Sequence, residues 1–283
     1  MDEIHILKGG IVPIDTYGHS SKGNQLKWHI EDKWYKADGL GYEGLAEVLV
    51  SRLLALSSVK NFVLYEPAII KWRGKTYNGC VSKNFLEEGW QICTVEKLFR
   101  KYTGLSMAEE IGHMSEITSR IRFMTDFVSN VTGIDDFGNY LATMVEIDSF
   151  FRNEDRHTNN ISVLYNPDEK RYRLCPYYDH GASLFSDLNG DYPLEKSVEE
   201  CENIIDAKPF SRSFDDQLDA ILSLYPGSLR FPCKRKGLLD EWKKIRREDE
   251  LVNKSDPSRR KIYARLEKVL LAQIRKFDYT VNY

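Results

Sequence analysis

The sequence predicts an α+β chain in two lobes: a small strand-rich N-terminal part with one helix, residues 1–85, and a larger, mainly helical C-terminal part, residues 86–283. Three observations predict it. Short apolar runs, alternating or broken by turn residues, fill the first third. Apolar residues recur at helical spacing through most of the remaining two thirds. The change falls in "NFLEEGWQ", Asn84 to Gln91, which reads as the hinge.

Each element has its own signal. "QLKWHI" alternates, with Leu26, Trp28 and Ile30 on one face, and "KWYKAD" is a short extended run. "AIIKWRGKTYNGCVSKNF" reads as two strands around an Arg-Gly-Lys turn. Between these lies "YEGLAEVLVSRLLALS", whose Leu45, Val48, Leu49 and Leu53 mark an amphipathic helix. Further on, Ser106 and Glu109 form a capping box. Ile111, Met114, Ile117, Ile121, Met124, Val128 and Val131 then predict one long helix ending at Gly133. A second helix runs from Asp136 to Phe151, with Phe137, Tyr140, Leu141, Met144 and Val145 inward. Asp148 falls on that same apolar side, either as helix-end solvation or as a buried structural carboxylate. "ISVLYNPDEKRYRL" predicts a hairpin around Asn-Pro-Asp-Glu. The remainder reads as helical. Its last helix starts at Asp256 (N-cap) and Pro257 (N1) and buries Ile262, Leu266, Val269, Leu270, Ile274 and Phe277.

Composition narrows the function. A net charge of −3 predicts no direct nucleic-acid binding, and the basic runs "KKIRRE" and "SRRK" read as solvated helix faces. Five cysteines without a C-x-x-C pair predict reduced thiols rather than a disulfide framework or zinc ribbon. "MDEIHILKGG" lacks a basic segment followed by a long apolar core, and no apolar run approaches a membrane span. A cytoplasmic protein is expected, with delivery by a dedicated secretion system left open.

The chemistry concentrates in "NEDRHTNN…YYDHGASLF". Phosphoryl transfer needs a carboxylate beside the acceptor hydroxyl and oxygen ligands that hold Mg²⁺ against nucleotide phosphates. Asp155 and Asn160 stand five residues apart, and Asp179-His180-Gly181 follows the hairpin. An isolated Asp-x-Gly is usually a turn. The ordered combination is specific, because two returning strands bring the loop and the Asp-x-Gly to one cleft. The spacing therefore predicts that Asp155, Asn160 and Asp179 converge opposite Lys36.

A phosphate cover and a lysine are also needed. Gly18, His19, Ser20, Ser21, Lys22 and Gly23 form a loop whose backbone N–H groups suit phosphate oxygens, although it is neither Gly-x-Gly-x-x-Gly nor a Walker A. Lys36 follows on the next strand, with Glu47 as its acidic partner and Glu43 as the alternative. Lys83, Asn84, Phe85 and Leu86 are candidates for an adenine site at the hinge. His157, counted with the nucleotide-binding residues, reads as a structural hydrogen-bond donor rather than a general base, and His180 as packing or hydrogen-bonding beside the metal site. Zinc and Gly-x-Ser-x-Gly hydrolase chemistry lack their spacings.

These residues resemble the HipA-type Ser/Thr kinases, in particular the compact CtkA-like members. The resemblance rests on "NEDRHTNN", "YYDHGASLF", "WYKADGLGYEGLAEVLVSRLL" and "AKPFSRSFDDQL", and spans roughly residues 17 to 220. It implies a protein-kinase-like fold, ATP with Mg²⁺, and phosphorylation of Ser or Thr in a protein substrate. It implies Asp155 as the catalytic acid-base, Asn160 and Asp179 as metal ligands, and Lys36 with Glu47 at the phosphates. Autophosphorylation at Ser20 or Ser21 and control by an antitoxin or other regulatory partner are further implications. With its loop beginning near residue 17, the chain is expected to lack the extra N-terminal subdomain of the larger members. The same loop motif occurs in phosphoinositide kinases, so a lipid or small-molecule kinase is the alternative. A nucleotide-binding pseudokinase or interaction module is the other.

Overall fold

The structure is a computed structural model that describes residues 25–253 and 256–281, together with the backbone of 5–8. The strand-rich third holds β1 (His5–Lys8), β2 (Lys27–Ile30) and β3 (Lys33–Ala37), then helix α1 (Glu43–Leu54), then β4 (Tyr65–Trp72) and β5 (Lys75–Lys83). They form one sheet in the order β1-β4-β5-β3-β2, antiparallel except for the β1–β4 pair. The β4–β5 turn places Arg73 (φ 46°) and Gly74 (φ 74°) in the left-handed region, the backbone that a two-residue hairpin requires. Trp28, Ala37 and Ile70 are buried together, with Leu26, Ile30, Tyr35, Trp72 and Tyr77 packed against them. The alternation of "QLKWHI" thus meets its core.

The chain continues through β6 (Gln91–Thr94), α2 (Val95–Thr103), α3 (Met107–Gly112), α4 (Ile117–Thr132) and α5 (Phe137–Phe151). The predicted hairpin follows as β7 (Ser162–Asn166) and β8 (Arg171–Leu174). Then come α6 (Val198–Glu202), α7 (Phe214–Leu222), α8 (Lys234–Val252), α9 (Arg259–Lys276) and α10 (Asp278–Val281). β6 pairs with β7 to give a three-stranded sheet, β6-β7-β8. Two compact units result. One comprises Met1–Asn84, Tyr178–Ile204 and Arg230–Tyr283; the other comprises Phe85–Tyr177 and Ile205–Leu229.

Several expectations change. The long helix after Ser106 is two helices, α3 and α4, broken at His113–Glu116. Arg120 explains how the break is tolerated: its Nε and Nη2 donate to the Met114 carbonyl at 2.8 and 2.6 Å, satisfying a helix-end acceptor. β6 was not predicted, since four residues carry no readable period. The stretch between β8 and α7, expected to be helical, is mostly turns with only the five-residue α6. α9 begins at Arg259, with Ser258 rather than Asp256 as N-cap. Helix α1 is more than amphipathic: of its residues only Arg52 escapes full burial, because the sheet covers one side and α8 packs on another.

All five cysteines are free, and among the described residues no helix is long and apolar enough to cross a membrane.

Candidate active site

The β3–α1 connection builds one set of candidate residues, within the first unit. Lys36 lies in the interior of the sheet, opposite Lys27 on β2 and Cys80 on β5. Gly79 permits this crowding, since a Cβ there would stand 2.0 Å from the Lys36 carbonyl oxygen. A second glycine lets α1 approach the sheet: a Cβ on Gly44 would meet Gly79 Cα at 2.6 Å. Glu47, 1% exposed, thereby comes under the lysine. Lys36 Nζ donates to Glu47 Oε1 at 2.5 Å and to Asp179 Oδ1 at 2.8 Å, and lies 5.0 Å from the Tyr65 ring centroid. Glu47 Oε2 accepts from the His180 backbone N–H at 2.8 Å. One carboxylate thus binds both the lysine and the Asp-His-Gly turn. Burial alone would lower the Lys36 pKa, but the charges of Asp179 and Glu47 outweigh it and hold the ammonium well above its ordinary value.

Glu43, the alternative partner, is committed elsewhere. Its two oxygens accept from the backbone N–H groups of Gly39, Leu40 and Gly41, at 3.1, 2.6 and 2.8 Å, and so shape the turn entering α1. Asp179 has φ 62°, a left-handed conformation that Asp tolerates better than most residues.

The loop after α5 builds a separate set of candidate residues, within the second unit. Arg152, at φ 55°, ends α5 and turns the chain. Asp148, 1% exposed, is the buried structural carboxylate of the two readings. It accepts from Arg156 Nε at 2.8 Å, Arg156 Nη2 at 3.0 Å and Asn153 Nδ2 at 2.8 Å, a two-pronged charge-assisted pairing. Arg156 Nη1 also donates to the Asn160 carbonyl at 3.0 Å, which closes the loop on itself. Asn160 Nδ2 donates to the Asp155 carbonyl at 2.8 Å, so the amide oxygen is the end turned away from that carbonyl. Lys208 Nζ lies 3.5 Å from Asp155 Oδ1.

Helix α2 holds this loop from outside. Glu96 accepts from the Thr158 hydroxyl at 2.9 Å and the Ala108 N–H at 3.2 Å. Burial would raise the Glu96 pKa, but its hydrogen bonds with Ser106, Thr158 and Ala108 prevail and lower it.

Of the residues read from the sequence, Lys36, Glu47 and Asp179 come together in the first unit, and Asp155 and Asn160 in the second. The His157 ring does not serve as a structural donor: its nitrogens have no hydrogen-bond partner among the described residues, and Nε2 lies 3.8 Å from Asp155 Oδ2. The backbone of His157 does the bonding, donating to the Asp155 carbonyl at 2.9 Å and accepting from Asn160 N–H at 2.8 Å. His180 is buried, as expected. Lys83 and Asn84 close the first unit's opening segment and Phe85 starts the second; Asn84 Oδ1 accepts from Trp34 Nε1 at 3.3 Å. Gly18, His19, Ser20, Ser21, Lys22 and Gly23 lie outside the described residues. Sequence reading missed Glu96 and Lys208. An acid beside the Thr94 cap was the only signal for the first, and Lys208 had none beyond lying in "AKPFSRSFDDQL".

No family model matches the chain, and no curated protein matches its sequence. Solved structures do match. The crystal structure of a Helicobacter pylori proinflammatory kinase, CtkA, aligns with 97% of this chain and 95% of its own, with a TM-score of 0.60 and 15% identity. The Shewanella oneidensis MR-1 toxin–antitoxin complex of HipA, HipB and operator DNA aligns over 97% of this chain and 67% of the other, with a TM-score of 0.49 and 12% identity. A choline/ethanolamine kinase family protein from Mesorhizobium loti covers 91% of this chain and 86% of its own, with a TM-score of 0.25 and 17% identity.

Proposed function

We propose, on the premise that this chain shares the fold of the CtkA kinase, that it is an ATP- and Mg²⁺-dependent protein kinase acting on Ser or Thr hydroxyls. The observation that carries the reading is the buried set Lys36–Glu47–Asp179. A lysine gripped by a helix glutamate and by the Asp-x-Gly carboxylate is what phosphate positioning by a kinase requires. Description of the Helicobacter pylori relative as a kinase supports it.

In this reading Lys36 binds nucleotide phosphates and Glu47 fixes its position. Asp155 accepts the hydrogen bond of the acceptor hydroxyl and takes its proton as the new P–O bond forms. Asn160 and Asp179 would hold Mg²⁺. Their donor set, an outward-turned amide oxygen and a carboxylate, suits a hard cation carried chiefly by phosphates. The ion supplies charge neutralisation at the phosphates. In this reading the Gly18–Gly23 loop would cover them, and Lys83 to Leu86 would contact the adenine. The reading takes residues 1–85 as the smaller lobe and 86–283 as the larger.

The test is transfer of labelled γ-phosphate to protein and lipid acceptors by the wild type and Asp155→Asn. Transfer to protein that falls by ~10³-fold in the variant is the expected result. Label on lipid alone would make it a lipid kinase. ATP binding without transfer would make it a nucleotide-binding module.

A further inference from the structure

Lys208 enters the site from a distant stretch. It lies 53 residues beyond Asp155, between α6 and α7, yet its ammonium faces Asp155 Oδ1 at 3.5 Å. At that separation the two form an ion pair rather than a tight hydrogen bond. The lysine side chain is 37% exposed and that of Asp155 11%. Partly exposed pairs of this kind contribute little to stability, so stability alone does not account for the arrangement.

The backbone around Lys208 is nevertheless firmly anchored. Ala207 is buried and its N–H donates to the Arg212 carbonyl at 2.8 Å. Phe210 is fully buried; its N–H donates to Gln217 Oε1 at 3.1 Å and its carbonyl accepts from Arg120 Nη1 at 2.7 Å. Fixed points therefore stand one residue before the lysine and two after it. Between them a flexible four-carbon stem carries a compact charge with three donors. The result is a rigid mount with a movable head beside the carboxylate read as facing the acceptor.

We propose that Lys208 is a catalytic residue whose ammonium moves from Asp155 Oδ1 to the oxygens of the transferring γ-phosphoryl group. The proposal rests on the kinase reading of Asp155. A hydroxyl hydrogen-bonded to Asp155 at about 2.7 Å and poised about 3–3.5 Å from phosphorus puts phosphoryl oxygens within the reach of that stem. In the step, the bond from the γ-phosphorus to the β,γ-bridging oxygen breaks, and its electron pair leaves with ADP. A lone pair of the acceptor oxygen forms the new bond to phosphorus. The hydroxyl proton passes to the Asp155 carboxylate. Nothing is oxidised or reduced, and Lys208 takes no part in the proton's movement. It balances charge that spreads over the phosphoryl oxygens in a loose transition state.

The experiment compares the full-length wild type with Lys208→Met, Lys208→Arg and Asp155→Asn. Transfer to dephosphorylated casein and to the chain itself is measured, as is calorimetric binding of ADP with Mg²⁺, alone and with aluminium fluoride. Lys208→Met should lower kcat by ~10²-fold with KM for ATP changed less than about threefold. It should weaken binding of the aluminium fluoride complex by a similar factor and leave ADP binding unchanged, and Lys208→Arg should restore most of the loss. A Lys208→Met enzyme with near-normal kcat, beside an inactive Asp155→Asn, overturns this proposal and spares the kinase reading. Equal weakening of ADP with and without aluminium fluoride also overturns it, since that marks a nucleotide-binding or structural role. Undiminished transfer by Asp155→Asn overturns the catalytic assignment of Asp155 and this proposal with it. If Lys208→Met does not fold, as judged by its melting curve, Lys208→Gln carries the same comparison.

Discussion

Lys36 shows how much one side chain can be asked to do. Its ammonium is buried and held by Glu47 and Asp179, and Glu47 in turn holds the His180 N–H. Removing the cation leaves a nearly inaccessible carboxylate without its counter-charge. Lys36→Met should therefore cost about 3–5 kcal/mol in urea denaturation, in addition to abolishing phosphate transfer. Glu47→Gln keeps an oxygen for His180 and should unfold at a higher urea concentration than Lys36→Met. The ordering of the two midpoints checks the assignment: if Lys36→Met were as stable as the wild type, the buried ion pair would not be what holds this cluster. The pair Lys36–Glu47 was readable from a lysine-bearing strand running into the one helix of the strand-rich region. The choice of Glu47 over Glu43 was not, because both lie on that helix's first turns and only the backbone N–H groups of Gly39, Leu40 and Gly41 assign Glu43 elsewhere.

At the scale of elements, the loop carrying Asp155 is held between α5 and α2. Asp148 and Arg156 tie it to the first, Glu96 and Thr158 to the second. A carboxyl whose pKa is lowered in the fold adds stability above its unfolded value, about 4.3, and loses it as pH falls through the lower folded value. Glu96 is such a group. Glu96→Gln should therefore melt below the wild type at pH 7, and the gap should close toward pH 3. A gap independent of pH would mean that shape, not charge, is what Glu96 provides. The hairpin β7–β8 was legible from its turn residues and β-branched run. β6 was not, since a four-residue strand is defined by the partner it pairs with and not by its own pattern. The α3–α4 break was likewise hidden, because its apolar residues keep nearly helical spacing across a gap that Arg120 seals.

For the molecule as a whole, the pH response should carry the mark of Asp38. Burial and then the charge of Glu43 push its carboxyl up to about 7, against the pull of the Gly44 N–H that it accepts at 2.6 Å. A carboxyl raised in the fold favours the native state below its unfolded pKa, about 3.9, and loses that contribution as pH rises through the folded value. Asp38→Asn retains an oxygen for Gly44 and has no charge to bury. The variant should melt several degrees above the wild type at pH 8, with the difference shrinking toward pH 4. Melting curves at the two pH values settle the sign; a variant less stable at pH 8 would show that the ionised form is favoured where Asp38 sits.

The sequence by itself determined the elements and the kinds of residue the chemistry would use. Alternation placed β2, a short extended run placed β3, helical spacing placed α1 and α5, and turn residues placed both hairpins, because each of these signals is carried by near neighbours along the chain. It also named Asp155, Asn160, Asp179 and Lys36 by order and spacing. The tertiary structure alone decided which of them meet. Lys36 and Asp179 are 143 residues apart, Arg52 and Glu241 are 189 apart, and Lys208 and Asp155 are 53 apart. No local pattern reports such pairs, because they are fixed by packing between segments that share no periodicity: a glycine on α1 that lets the helix descend onto β5, a turn-rich return after β8, and two anchored residues flanking a lysine.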